Sequence, residues 1–127
     1  GEAAGLLGWS IEVVQYDSFS ALKRVTANWG GACLLKGSGS LTCNSDVSHS
    51  MCLCSEGNPG MASAGMGDVL TGIVVSLLGQ GFSLFDALNC GVCIHGKAGD
   101  LAKEFGGERG LLASDLFPYL RELVNPA

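Results

Sequence analysis

The sequence predicts an α/β fold, and three observations carry that expectation. Apolar residues recur at helical spacing in several stretches, most densely at Val69, Leu70, Ile73, Val74, Leu77 and Leu78. One short unbroken apolar run, Ala32–Leu35, stands between glycine breakers and reads as a buried strand. Two more short runs, 41–43 and 51–54, flank turn chemistry at Asn44-Ser45-Asp46 and read as an antiparallel hairpin at a sheet edge.

Composition limits what the chain can be. Its 127 residues are enough for one domain with a sizeable core, and 47% hydrophobic against 15% charged residues excludes a disordered chain. A net charge of −5 argues against a nucleic-acid partner or an anionic membrane surface. The apolar run at 69–78 is far too short to span a bilayer, and no signal peptide is visible. The six cysteines, Cys33, Cys43, Cys52, Cys54, Cys90 and Cys93, sit among apolar neighbours and read as reduced core thiols of a cytoplasmic protein. A zinc site built on Cys52, Cys54, Cys90 and Cys93 is the alternative. No metal site is expected, because a helical pattern through Cys90 and Cys93 offers no metal knuckle.

In chain order, residues 2–7 form a short helix ended by Gly8, and Ser10 is placed to cap a brief turn. Asp17 or Ser18 caps a helix to about Trp29, with Phe19, Leu22, Val25 and Trp29 expected on one face and Gly30-Gly31 as its stop. After strand 32–35 come Lys36 and Gly37-Ser38-Gly39-Ser40. Ligands of open α/β sheets gather at the carboxyl ends of strands, so Lys36 and this loop could meet a phosphate. A β-turn with a solvated lysine is the plain alternative. His49 falls in or near the hairpin turn and reads as an exposed loop residue. Ser83-Leu84-Phe85-Asp86 resembles a capping box and opens a second long helix to about Phe105. His95, inside it, either lines a pocket or is a hydrogen-bonded core histidine. Ser114 is the expected cap of a last helix, with Leu116, Leu120, Leu123 and Val124 inward and Pro118 tolerated near its start.

The stretch 57–81, GNPGMASAGMGDVLTGIVVSLLGQG, organises the rest. It passes from small residues into an apolar helix at Gly65-Met66-Gly67-Asp68. Glycine lets backbone approach a ligand, and the first turn of a helix offers free N–H groups and partial positive charge. Together these suit an anion, most often phosphate. A carboxylate at Asp68 would repel a phosphate beside it, unless it faces a hydroxyl that attacks that phosphate. The alternative is that Asp68 only complements the helix dipole.

With those residues in view, GEAAGLLG, LLKGSGSL, GNPGMASAGMGDVLTGI, HGKAGD and LLASDL together make the chain resemble the ADP- or ATP-dependent NAD(P)H-hydrate dehydratases, whose fold is ribokinase-like. The resemblance extends over nearly the whole chain. It implies a three-layer α/β/α domain of which residues 1–127 are the carboxy-terminal portion, the amino-terminal part and most of the parallel sheet being absent. It implies substrates, NAD(P)H hydrate and an adenine nucleotide, with ADP favoured over ATP and Mg²⁺ carried along. Asp68 would be catalytic, facing the hydroxyl, and Asn58 would help shape the substrate site. Lys36, Gly37, Ser38, Gly39 and Ser40 would hold the nucleotide phosphates, where the loop after Lys36 meets the amino end of the 67–79 helix. The N–H groups around Gly65, Met66 and Gly67 would form the anion hole. The family's usual loops, KGAGT and GGTGD, read KGSGS and AGMGD here: Ser40 replaces the threonine hydroxyl, Ala64 is a worse fit where positive φ is needed, and Met66 stands where a threonine is common, so backbone must carry the role at 66. A related ribokinase-like small-molecule kinase and a catalytically inactive fragment are the alternatives. The incomplete sheet predicts self-association or association with the absent amino-terminal part.

Overall fold

The computed structural model describes residues 1–37, 39–45 and 50–125. Expectations for Ser38, Asp46 and His49 lie outside the described residues. The chain divides into two compact units, Gly1–Leu53 and Cys54–Ala127.

The first unit is three helices against a small antiparallel sheet. Helix α1 spans Glu2–Leu7 and ends on Gly8, whose φ of 66° accepts the left-handed turn. Helix α2 spans Ile11–Tyr16, and the Ser10 side chain accepts from the Val13 N–H at 3.3 Å. Helix α3 spans Ser18–Trp29, and the Asp17 carboxylate accepts from the Ser20 N–H at 3.0 Å. These caps satisfy amides that no helical carbonyl can reach.

The inward face of α3 differs from the expected one. Its buried line is Ala21, Leu22 and Thr26, while Phe19 and Trp29 are 52% and 54% exposed. The reason is that α3 meets other helices and the sheet along the 21–22–26 side. Thr26 can sit there fully buried because its hydroxyl donates to the Leu22 carbonyl at 2.9 Å.

Strands β1 (Ala32–Leu35), β2 (Ser40–Asn44) and β3 (Met51–Cys54) lie in that order in the sheet. β1 and β2 are antiparallel, with Cys33 opposite Cys43 and Leu35 opposite Leu41. Alternation puts Cys33, Leu35, Leu41 and Cys43 on one face, where they pack with Leu22 and Met51. The buried strand is the central one, β2, with Leu41 at 3% and Cys43 at 0% exposure. β1, expected to be buried, is half-buried along its length, because among the described strands it has a partner on one side only.

The second unit holds helices α4 (Met66–Gly79), α5 (Leu84–Gly106) and α6 (Phe117–Leu123), with short 3₁₀ turns at Pro59–Met61 and Ala113–Leu116. Ser83 caps α5 by accepting from the Asp86 N–H at 3.2 Å. The reverse half of the expected capping box is replaced: the Ser83 hydroxyl donates to the Asp86 carboxylate at 2.6 Å. α4 and α5 pack closely because Gly91 has no side chain; a Cβ there would lie 2.8 Å from Val74 Cγ2. The core gathers Met66, Ala98, Ala102, Leu111 and Leu116, with Met61, Leu120 and Leu123 against it.

Ser114 is not the cap of the last helical segment. Asp115 accepts from the Leu112 N–H at 2.9 Å, so the turn begins two residues earlier and α6 starts only at Phe117. Val124, expected inward, is 58% exposed because α6 ends before it. Among the described residues no helix is long and apolar enough to cross a membrane.

Candidate active site: the loop that feeds α4

Asn58 starts the loop. Its Oδ1 accepts from the Gly60 N–H at 3.1 Å, which closes the Pro59–Met61 turn. Its Nδ2 donates to Asp100 Oδ1 at 2.9 Å, and the Gly57 N–H donates to Asp100 Oδ2 at 2.8 Å. Asp100 belongs to α5, so one carboxylate ties the turn to that helix. The loop can lie so close because α5 presents glycine. A Cβ at Gly96 would sit 2.8 Å from the Glu56 carbonyl oxygen, and one at Gly99 would strike the Met61 side chain. Further along, the Ser63 hydroxyl donates to the Leu111 carbonyl at 3.1 Å.

The loop ends at Gly65, the N-cap of α4, with φ of 84° and no side-chain cap. That left-handed turn is open to glycine at little cost. A Cβ there would also approach Ala113 Cβ to 3.2 Å. The Met66 N–H reaches back to the Ser63 carbonyl at 3.4 Å, and the Val69 N–H donates to the Gly65 carbonyl at 3.0 Å. Between them lie the Gly67 and Asp68 amides, in the turn where a helix has no carbonyl of its own to offer. Met66 is 4% exposed, its side chain sunk in the core.

Asp68 is exposed in the first turn of α4. It borders a groove of about 750 Å³ lined also by Ile73, Leu77, Phe117, Leu120 and Arg121. An exposed carboxylate at a helix amino end is favoured by the dipole and keeps its hydrogen-bonding oxygens free for a hydroxyl.

Lys36 and the residues after it belong to the other unit. They form the connection of the β1–β2 hairpin, in which Gly39 has φ of 82° and Ser40 opens β2. Lys36 and Gly37 are exposed. Lys36, Gly37 and Gly39 border a cavity of about 640 Å³ whose other walls include Gln15, Ser18 and Leu34. The structure thus places an exposed cation beside a concave surface of its own unit.

His95 is 9% exposed within α5 and has an interaction partner in the protein. All six cysteines are free thiols. Cys93 keeps an accessible side, yet loss of hydration pushes its thiol up to about 11, with Cys54, Cys90 and Glu56 adding to the shift. At neutral pH it holds its proton and is a poor nucleophile. Among the described residues no group of three or more His, Cys, Asp or Glu side chains could hold a metal ion.

Sequence reasoning gave Asp100 no role. Its partners are 42 and 43 positions away, a separation without a periodic signature; only the HGKAGD motif as a whole pointed there.

Comparison with known proteins places the chain. Residues 1–122 match the model of the NAD(P)H-hydrate dehydratase family. The bifunctional NAD(P)H-hydrate repair enzyme Nnr of Vibrio cholerae is 52% identical over 124 residues, covering 98% of this chain and 24% of its own length. The ADP-dependent (S)-NAD(P)H-hydrate dehydratase of Neisseria meningitidis is 42% identical over 125 residues, covering 98% of this chain and 42% of its own length. A solved structure of the ADP/ATP-dependent NAD(P)H-hydrate dehydratase from Bacillus subtilis, co-crystallised with ATP/Mg²⁺, superposes with a TM-score of 0.81 at 25% identity, covering 87% of this chain and 39% of that one. The chain therefore spans a quarter to two-fifths of the length of the relatives it matches. Its mixed α/β fold is that of the corresponding part of those dehydratases, and the chain belongs to the NAD(P)H-hydrate dehydratase family.

Proposed function

We propose that this protein is a carbon–oxygen lyase that returns (S)-NAD(P)H hydrate to NAD(P)H at the expense of an adenine nucleotide, with ADP favoured. The observation that carries the reading is the uncapped amino end of α4, with exposed Asp68 in its first turn, in a chain that matches the family across residues 1–122. The nucleotide transfers a phosphoryl group to the hydrate's hydroxyl. Phosphate then leaves with the C–O bond electrons, a ring proton is lost, and the double bond returns.

Asp68 orients the hydroxyl and takes its proton as the oxygen bonds to phosphorus. Phosphoryl transfer asks chiefly for alignment and charge stabilisation, so a modest base suffices. The N–H groups of Gly65, Met66 and Gly67 stabilise the transferred group, and Lys36 with Gly37, Ser38, Gly39 and Ser40 contacts the nucleotide phosphates. Asn58 shapes the substrate side through the turn it closes. Mg²⁺ neutralises phosphate charge when bound. Such an ion would be held chiefly by phosphate oxygens and water, as Mg²⁺ commonly is beside a nucleotide.

Six free thiols suit a reducing compartment, and we place the protein in the cytoplasm. The outer edge of β1, unpaired among the described strands, supports pairing with a further segment or a second copy. Light scattering of the 127-residue chain tests that extension: self-association is expected, and a monodisperse monomer would count against it.

The test of the activity is to add ADP and Mg²⁺ to NADH hydrate with the full-length protein and follow NADH absorbance. Recovery of absorbance supports the lyase. A stable phosphorylated alcohol, formed from another substrate without NADH recovery, would identify a small-molecule kinase instead.

A further inference from the structure

Each oxygen of the Asp100 carboxylate has a partner, and what it holds leads straight to the candidate anion hole. Its Oδ2 accepts from the Gly57 N–H at 2.8 Å and its Oδ1 from Asn58 Nδ2 at 2.9 Å. The remaining end of the Asn58 amide accepts from the Gly60 N–H at 3.1 Å. These three bonds admit one orientation of Asn58, because turning the amide over would set donor against donor at one end and acceptor against acceptor at the other. The turn they close rests on Gly96 and Gly99 of α5, where any side chain would collide. From it, the chain runs on to Gly65, with Ser63 tied to the Leu111 carbonyl on the way. The segment that ends in the α4 amides is thus fastened at its start by Asp100 and near its end by Leu111.

We propose that Asp100 is a positioning residue for the nucleotide-dependent reaction: by locking Asn58 and Gly57 it sets where the Gly65–Gly67 amides stand. The proposal rests on the function given above. Asp100 acts through the turn and touches neither substrate nor nucleotide.

Polarity makes the proposal testable. Asp100→Asn keeps the shape but replaces one acceptor with a donor. The introduced amide can accept from Gly57 only by pointing its NH₂ at the NH₂ of Asn58. If Asn58 turns over to receive it, its own NH₂ then faces the Gly60 N–H. One of the three bonds must fail either way. The double variant Asn58→Asp with Asp100→Asn restores all three. Its amide at position 100 accepts from Gly57 and donates to the carboxylate at position 58, whose other oxygen accepts from Gly60. Such a cycle isolates the coupling between the two side chains.

The experiment uses the full-length protein and three readouts: deuterium uptake of peptides spanning 61–68, kcat and KM for ADP in the hydrate assay, and the unfolding temperature. Asp100→Asn is expected to speed uptake across 61–68 and to lower kcat about tenfold, with KM for ADP within about threefold of the parent. The double variant is expected to return uptake and kcat to within about threefold of the parent.

Unchanged uptake in Asp100→Asn overturns the proposal. So does a double variant that recovers its uptake and unfolding temperature but not its kcat, since that places Asp100 or Asn58 on the substrate itself. If the parent does not act on NAD(P)H hydrate, the functional reading fails, and uptake with ADP affinity still decides whether Asp100 sets the loop. Should Asp100→Asn not fold, Asn58→Ala removes one of the two donors to the carboxylate. Faster uptake across 61–68 is then expected, and unchanged uptake overturns the proposal equally.

Discussion

Two glycine-rich loops of this protein read alike in the sequence, KGSGS after β1 and GNPGMASAGMG before α4, but they are held in different ways. The first lies between the paired strands β1 and β2, and its Lys36 and Gly37 stand in solvent. The second is fastened by side chains from elsewhere in its unit, through Asp100, the Leu111 carbonyl and the burial of Met66. Glycine gives either loop access to a ligand. The second has its amides set by contacts that are distant in sequence, and preorganised donors are what stabilise charge that develops during a reaction. In the function proposed above, that contrast is a division of labour: the Lys36 loop would contribute charge to binding, the α4 loop geometry to chemistry.

That contrast can be broken most sharply at Asp68. In the full-length protein, Asp68→Asn is expected to lower kcat by about 10²–10³-fold, roughly 3–4 kcal/mol of lost transition-state stabilisation. ADP affinity by calorimetry should be unchanged. A near-normal kcat would remove Asp68 from the chemistry.

Next is the seat of the α4 loop. Gly96→Ala drives a methyl group into Glu56 backbone atoms, which cannot step aside, and overpacking of this kind costs about 1–3 kcal/mol. At Gly99 the obstructing group is the flexible Met61 side chain, so Gly99→Ala should cost less and be relieved by trimming Met61. Chemical denaturation of the variants gives the comparison, and equal losses at 96 and 99 would show that backbone approach is not what matters.

Lys36→Ala should act on binding alone. A roughly tenfold rise in KM for ADP, shrinking as salt is raised, with kcat and the unfolding temperature unchanged, is the expected pattern for an exposed lysine on phosphate, worth about 1–2 kcal/mol. A drop in kcat of the same size would give the hairpin loop a share in the chemistry.

The smallest effect belongs to the caps. The Ser20 N–H, with the Ser20 hydroxyl helping, lowers the Asp17 carboxyl below its ordinary 3.8. A group with a depressed folded value adds stability above its unfolded value, and that contribution is lost as pH falls through the folded one. Asp17→Asn should therefore remove a small amount of stability at neutral pH and almost none below about pH 4, which flattens the acid limb of the stability curve as read by circular dichroism.

What was legible in the sequence was local. Ser10, Asp17 and Ser83 announce helix starts because a cap and its amide are three residues apart, and Gly8 and Gly30 announce stops because glycine takes the positive φ found there. The glycine loop feeding α4 was legible because glycine and helical periodicity both leave marks in the residue order. The inward face of α3 was not: Phe19 and Trp29 are the larger apolar residues, but which side of a helix is buried depends on what lies against it. Ser114 is not the cap because the turn starts earlier, at Ala113 after Leu112, where the Asp115 carboxylate reaches back to the Leu112 amide. Asp100 was silent because an acceptor that serves a turn some forty residues away obeys no spacing rule. The local shape of the loop feeding α4 could thus be read from the chain, while the carboxylate that ties it to α5 could not.

The seating of the 57–61 turn on α5 has a consequence for anyone recombining such proteins. The turn and its bed are separate words in the sequence, yet each is shaped to the other: a side chain missing at 96 and 99, a methionine laid over the gap, a carboxylate facing an amide. A chimaera whose crossover falls between residues 61 and 96 would pair a turn from one parent with a helix from another. It would inherit two intact motifs and a mismatched joint. Crossovers placed before 56 or after 100 carry lock and key together, and a library built on that rule should retain folded members that a library cut inside the interval loses.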